Sequence, residues 1–389
     1  MDLISAYRAL ERPRVAGIMS GTSADAIDIS LVEIRPQERP QLLYFFSDPL
    51  PLKVRERLQV VFRGQVSLEE VTSLHWLLGE LLAQSLLKMR AELKSKGLEE
   101  RIDLVASHGQ TVWHAPKSRS YLGYPVRGTL QLGEGAVIAT RASCLTVCDF
   151  RPQDLALGGQ GAPLVPWADR LLFYEPTSHR VALNIGGMAN ITILPASGEV
   201  SACDTGPGNA LSDRLAEIYW DLPYDPQGQK AAQGQIIPEL WEELCAHPYL
   251  AAPAPKSTGR EEFGAPLAER WVERAPEAGW SPYDLLRTAA AFSAYAIALH
   301  IKRLAPATRE ILVGGGGLRN QTMMRELAER LAPLEVEIRS MESVGVPPQA
   351  RESMAFALLG DATLRAESSN LPSATGASRP CVLGKIVLP

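Results

Sequence analysis

Short apolar runs separated by polar loops mark the start of the chain. Residues 15–19, 26–34 and 41–46 read as three strands in close succession, the first two joined by a tight polar loop. Leu68, Val71, Leu74, Leu78, Leu81 and Leu82 then recur at helical spacing, which predicts an amphipathic helix over 67–93. Residues 103–106 and 145–150 are further short strands. A similar pattern restarts at 180–194, where Val-Ala-Leu-Asn-Ile and Asn-Ile-Thr-Ile-Leu flank the turn around Gly186 and Gly187. Helices follow over 209–220, 237–245 and 283–304, the last Ala-rich and apolar nearly all round, hence expected to be buried. A strand at 310–313 runs into four glycines, Gly314 to Gly317. Helices at 320–331 and 353–364 and a strand at 381–388 close the chain. Alternation of this kind predicts an α/β fold, and the return of the opening hairpin at 180–194 points to two related halves.

A chain of 389 residues is long for a single core, which also argues for two domains. Hydrophobic residues at 46% and charged residues at 21% fit a globular protein and exclude a disordered one. A formal net charge of -5 lacks the basic footprint that phosphate-backbone binding demands, so no nucleic-acid partner is expected. The cysteines (Cys144, Cys148, Cys203, Cys245, Cys381) are odd in number and irregularly spaced, which predicts neither a disulfide framework nor a zinc site. The first residues carry charges throughout, and no apolar run approaches a membrane span, so the expectation is a cytoplasmic protein with no membrane partner.

Three glycine-bearing loops stand at strand ends: Gly21-Thr22-Ser23-Ala24-Asp25, Asp204-Thr205-Gly206-Pro207-Gly208-Asn209, and Gly314 to Gly317. Glycine lets backbone N–H groups approach an anion, and a following helix N-terminus adds a favourable dipole. Glycine turns also serve ordinary hairpins, so one such loop would mean little; three beside Thr, Ser, Asp or Asn favour a nucleotide. No Gly-x-x-x-x-Gly-Lys-[Ser/Thr] occurs, and Leu318-Arg319 breaks the Gly-x-Gly-x-x-Gly spacing, which removes a P-loop and weakens a dinucleotide site. Asp-Thr-Gly also occurs in aspartic proteases, but that chemistry needs two carboxylates sharing a proton, and no second Asp-[Thr/Ser]-Gly exists.

The run 17–28, Gly-Ile-Met-Ser-Gly-Thr-Ser-Ala-Asp-Ala-Ile-Asp, resembles the N-terminal signature of the anhydro-N-acetylmuramic acid kinases. The likeness continues through 107–111 (Ser-His-Gly-Gln-Thr), 131–133, 149–151 (Asp-Phe-Arg), 158–164 (Gly-Gly-Gln-Gly-Ala-Pro-Leu), 184–187 and 204–209. It extends through 255–260 (Pro-Lys-Ser-Thr-Gly-Arg), 314–316 with Asn320, Glu352 with 355–357, and 375–377. These blocks keep the family's order over nearly the whole chain. The resemblance implies two actin-like (ribonuclease H-like) domains with a cleft between them, here placed at 1–150 plus 380–389 and at 151–379. It also implies ATP with Mg²⁺ as cofactors and a homodimer as the assembly.

The implied reaction is double: water opens the 1,6-anhydro bridge of the sugar while the freed O6 takes the γ-phosphoryl group. A water attacking an anomeric carbon needs a carboxylate base, and the resemblance gives that role to Asp204. Arg151 matches the arginine near the transferred phosphate, where a planar guanidinium suits developing charge. Gly21, Thr22, Ser23, Asp25 and Asp28 correspond to the ATP-phosphate segment, with Asp25 holding metal-bound water. Asn184, Gly186, Gly187, Gly206, Gly208, Gly314, Gly315, Gly316 and Asn320 complete the expected nucleotide contacts. His108, Gln131 and Glu352 match sugar-contacting positions. The chain departs from the family at Ala24, at Ala26 where Gly is usual, and at Glu134 where Asn is common. Ala26 would strain a turn that needs positive φ, and Glu134 would bear on sugar preference. A kinase for another 1,6-anhydrosugar such as levoglucosan, and a non-catalytic nucleotide-gated sugar sensor, stay open at the level of sequence.

Overall fold

Strands form where β-branched and aliphatic residues cluster, and those buried on both faces are nearly continuously apolar. The computed structural model describes residues 2–21, 25–64, 66–254 and 256–389. Thr22, Ser23 and Ala24 of the first glycine loop, and Pro255, lie outside the described residues. The chain divides into two compact units, Met1–Leu172 with Gln349–Pro389, and Phe173–Pro348.

In the first unit, β1 (Arg14–Ser20), β2 (Ala26–Glu33) and β3 (Gln41–Pro49) form an antiparallel meander. β4 (Leu104–Ser107) joins β1 in parallel, β7 (Thr146–Cys148) joins β4 in parallel, and β13 (Lys385–Val387) closes the edge antiparallel to β7. The spatial order is β13-β7-β4-β1-β2-β3. In the second unit, β8 (Arg180–Ile185), β9 (Met188–Leu194) and β10 (Ser201–Pro207) repeat the meander. β11 (Glu310–Gly314) and β12 (Glu337–Ser340) add in parallel, giving β10-β9-β8-β11-β12. With β13 set aside, the two sheets share order and strand directions, so the two halves expected from the repeated hairpin are present, each an α/β unit of the actin-like kind.

One face of the first sheet carries the helix Leu68–Ser95, begun by Ser67, whose side chain accepts the Glu70 N–H. Its Leu74, Leu78, Leu82 and Leu86 bury against Ile18, Ile29 and Leu31. Leu68, at the head of the expected apolar stripe, is instead 87% exposed. The helix Arg351–Leu364 packs on β1, β2 and β4. It comes so close that a Cβ on Gly17 would sit 1.9 Å from the Ser353 carbonyl oxygen, and one on Gly360 2.5 Å from the Ala106 Cβ. Two glycines thus set this helix–sheet distance. Residues 151–172 and 349–379, expected in the second domain, fall in the first unit, where the helix Arg351–Leu364 packs on the sheet and its Arg351 is tied to Asp169.

The second core gathers around the helix Pro282–Leu304, buried nearly all round as expected, with Leu285, Phe292 and Ile297 packed in one cluster with Val181, Leu183 and Ile191. A hairpin of β5 (Gln110–Tyr121) and β6 (Tyr124–Leu132) forms a separate two-stranded sheet that the apolar pattern does not announce.

Candidate functional site

In the second unit, Asp204 lies on β10 beside a register shift against β9, where Gly206 adopts φ +135. The shift breaks the strand's alternation and leaves the Asp204 side chain half-buried. Its backbone is held twice: its N–H donates to the Lys256 carbonyl at 3.1 Å, and the Tyr249 hydroxyl donates to its own carbonyl at 2.8 Å. The carboxylate accepts the Thr258 N–H on Oδ2 at 3.1 Å. Burial pushes its pKa up to about 6, against a smaller lowering from that N–H. A carboxyl so placed is substantially ionised at neutral pH yet basic enough to take a proton.

The glycine loops around Asp204 interlock. The Gly187 carbonyl accepts the Gly208 N–H at 2.9 Å, and the Gly186 carbonyl accepts the Asn209 N–H at 2.8 Å. A Cβ on Gly208 would lie 2.3 Å from the Gly186 oxygen; one on Gly315, at φ +85, would lie 2.5 Å from the Ile185 oxygen and 2.8 Å from Asn184 Oδ1. Gly314 is filled on its Cβ side by the Met341 sulfur at 2.6 Å. These glycines let backbone meet backbone. Gly186 and Gly316 differ, since a Cβ there would find its nearest neighbour at 3.6 and 3.9 Å, and Gly316 is exposed. They are the positions where a ligand could reach the main chain.

Beside Gly316 opens a cavity of about 210 Å³ lined by Asn209, Ser212, Asp213, Tyr224 and Asn320 among others. Burial raises the Asp213 pKa to about 7, with Arg260 opposing. Ser212 Oγ is buried without a hydrogen-bond partner among the described residues. Asn320 spends its Oδ1 on the Met323 N–H at 3.0 Å, capping the helix Gln321–Leu331. Ser212 and Asp213 carry no sequence signal, because they sit in an ordinary amphipathic helix, Ala210–Trp220.

In the first unit, Arg151 begins a short helix just after Asp149, which holds φ 54, a left-handed conformation few non-glycine residues adopt. Arg151 donates to His108 Nε2 from Nε at 3.1 Å and from Nη2 at 2.9 Å, and to the Gly161 carbonyl at 2.7 Å. A guanidinium is only a donor, so Nε2 must accept and the proton sits on Nδ1, which donates to the Gly109 carbonyl at 2.8 Å. Burial and the adjacent Arg151 charge hold His108 well below its usual pKa, hence neutral. Both ring nitrogens are taken, and the ring packs on Phe356 at 4.6 Å. His108 therefore orients Arg151. Burial lowers Arg151 to about 10, still charged at neutral pH.

Asp154, fully buried, organises the ground behind Arg151. It accepts the Gly161 N–H at 2.7 Å, the Thr375 hydroxyl at 2.7 Å and the Asn370 amide at 2.8 Å. The blocks at 158–161 and 375–377 are thus explained as wrapping for one carboxylate, which nothing in the sequence singles out. Glu352 projects to solvent near Arg351, Arg151 and Asp28. Local desolvation raises its pKa, the two arginines pull it down, and Asp28 pushes it up. Burial also raises Asp28, which accepts the Ser47 hydroxyl at 2.6 Å. Arg351 itself is locked to buried Asp169 at 2.9 and 2.5 Å.

The remaining expected residues have other partners. Gly21 ends the described part of its loop. Asp25 is exposed and paired with Arg55 at 2.5 Å. Gln131 is buried on β6, donating to Thr111 at 3.1 Å and Thr129 at 2.7 Å. Ala26 opens β2 opposite Pro49 and is not in the positive-φ region, so the strain foreseen there does not arise. Glu134 caps the helix Gly135–Ala142 through the Ala136 N–H at 2.8 Å and pairs with His75 at 3.0 Å. No cluster of three or more His, Cys, Asp or Glu side chains able to hold a metal occurs among the described residues.

The profile described as anhydro-N-acetylmuramic acid kinase matches residues 13–389. The chain is 37% identical over 399 residues to the anhydro-N-acetylmuramic acid kinase of Caldanaerobacter subterraneus subsp. tengcongensis, covering 99% of both chains. It is 36% identical over 385 residues to that of Bacillus cereus strain AH187, covering 96% of this chain and 99% of the relative. Among solved structures it is similar to the activator of the 2-hydroxyisocaproyl-CoA dehydratase from Clostridium difficile. The two are 14% identical with a TM-score of 0.42, covering 90% of this chain and 96% of that one.

Proposed function

Because the chain belongs to the anhydro-N-acetylmuramic acid kinase family, we propose that it opens 1,6-anhydro-N-acetylmuramic acid with water and phosphorylates O6 from ATP. The products are N-acetylmuramic acid 6-phosphate and ADP. The observation that carries the reading is Asp204, a half-buried carboxyl raised to about 6 with one oxygen tied to a backbone N–H. It takes the proton of the water that bonds to C1 as the C1–O6 bond breaks; O6 then bonds to the γ-phosphorus as the bond to ADP breaks. Arg151, oriented by neutral His108, supplies the fixed positive charge for the phosphoryl group. Glu352 and Gln131 contact the sugar.

ATP lies along the open glycines Gly186 and Gly316, with its nucleoside in the cavity at Ser212 and Asp213. Mg²⁺ keeps several waters and takes phosphate oxygens, so it needs few protein ligands. The hard carboxylates of Asp25 and Asp28 fit that demand, and bound Mg²⁺ would neutralise phosphate charge. We place the enzyme in the cytoplasm, in peptidoglycan recycling, as a homodimer.

The test is ADP release with anhydro-N-acetylmuramic acid, with levoglucosan and with no sugar. Turnover that requires the muramic sugar is expected. A preference for levoglucosan would move the assignment to another anhydrosugar, and absent or sugar-independent turnover would remove it.

A further inference from the structure

We propose that Lys256 is a positioning residue that, through the loop it anchors, selects which oxygen of Asp204 receives the proton. The inference rests on the reading of Asp204 as the base. Lys256 donates from Nζ to the Tyr249 carbonyl at 2.5 Å and, more weakly, to the Leu250 carbonyl at 3.5 Å. The same ammonium lies 4.2 Å from the centroid of the Tyr249 ring. That ring meets Phe263 edge-on at 5.7 Å, so the anchor is seated on the unit's apolar core. From this point the loop reaches Asp204 twice. The Lys256 carbonyl takes the Asp204 N–H, and two residues on, the Thr258 N–H takes Oδ2. The Thr258 hydroxyl donates in turn to Glu262, fixing the far end of the loop. Tyr249, which receives the lysine, closes the circuit by donating to the Asp204 carbonyl.

The consequence concerns the two carboxylate oxygens. Oδ2 is committed to a main-chain donor that cannot rotate away, which fixes the plane of the carboxylate and leaves Oδ1 to face water. A base whose lone pair is already aimed gains the orientation that otherwise costs rate. The titratable and charged groups around Asp204 and its loop are Cys203 on its own strand, Tyr249, Lys256 and Glu262, with His300 and Arg303 from the helix Pro282–Leu304. Its proton affinity answers chiefly to burial, which raises it, and to the Thr258 N–H, which lowers it. Loosening the loop removes the lowering influence. The base must be ionised to act, so the acid limb of the rate profile would then move to higher pH.

The experiment compares pH profiles of kcat/KM for the wild type, Lys256→Met and Lys256→Arg in the full chain. Lys256→Met is expected to lose about tenfold in kcat with the KM for ATP within about twofold, and to shift the acid limb upward by about half a pH unit. Lys256→Arg should recover most of the rate, since arginine also donates to carbonyls and stacks on an aromatic ring. Wild-type kcat in Lys256→Met, or a lost rate with an unmoved acid limb, would overturn the inference. Should Lys256→Met fail to fold, Tyr249→Phe removes one link of the circuit without changing charge. A loss of about threefold in kcat is then expected, and an unchanged rate would count against the clamp. A wild-type profile with no acid limb near pH 6 would instead remove the base assignment itself, and the inference with it.

Discussion

The two units share a sheet topology but hold their chemical groups by opposite means. In the first, Arg151 is gripped by side chains and a carbonyl: neutral His108, the Gly161 oxygen, and behind them the fully buried Asp154. In the second, Asp204 is gripped chiefly by main-chain groups, the Thr258 N–H and the Lys256 carbonyl, with the Tyr249 hydroxyl on its own carbonyl. The difference fits the roles proposed for the two groups. A cation meant for a phosphoryl group needs partners that orient it without cancelling its charge, so a neutral imidazole and a carbonyl serve where a carboxylate would not. A carboxylate meant as a base near neutral pH must not be salt-bridged, because an adjacent cation would pull its pKa down and weaken it. One neutral N–H fixes Asp204 in place while burial keeps it basic.

This contrast can be broken from the arginine side. Arg151→Met removes the charge and is expected to cost about 100-fold or more in kcat while leaving ATP affinity near wild type. A loss confined to KM would instead make Arg151 a ground-state binding residue. His108→Leu keeps bulk in a buried site but leaves Arg151 Nε without its acceptor, and about a tenfold fall in kcat/KM is expected at unchanged folding by circular dichroism. An unaffected rate in that variant would show that Gly161 alone orients the guanidinium.

How much of this was legible in the sequence depends on how local each feature is. The strands at 15–19 and 181–185 announce themselves because most positions on both faces are buried and the runs are almost wholly apolar, Asn184 apart. The β5–β6 hairpin is silent because it has so little inside: Trp113, Tyr121 and Tyr124 are all exposed. The helix Arg351–Leu364 could be foreseen as a helix, but not assigned to the first core, since the facts that place it are Gly17 and Gly360, hundreds of residues apart. Asp204 and Arg151 stood out through their motif blocks. Their supports did not. Asp154 is one more acid in a short helix, the His108–Arg151 pairing joins residues 43 positions apart, and the hold of Thr258 on Asp204 uses a backbone N–H, which no side-chain pattern encodes. The motif glycines were legible as a group, yet only the structure separates those that pack backbone on backbone, such as Gly208 and Gly315, from those that face open space, such as Gly316.

The central claim is that Asp204 takes the proton of the attacking water. Asp204→Asn preserves shape and the Thr258 contact but removes the basic oxygen, so single-turnover formation of the sugar 6-phosphate measures that claim alone. A loss of about 1,000-fold or more, with ATP binding intact, is expected; product formation at the wild-type rate would contradict it.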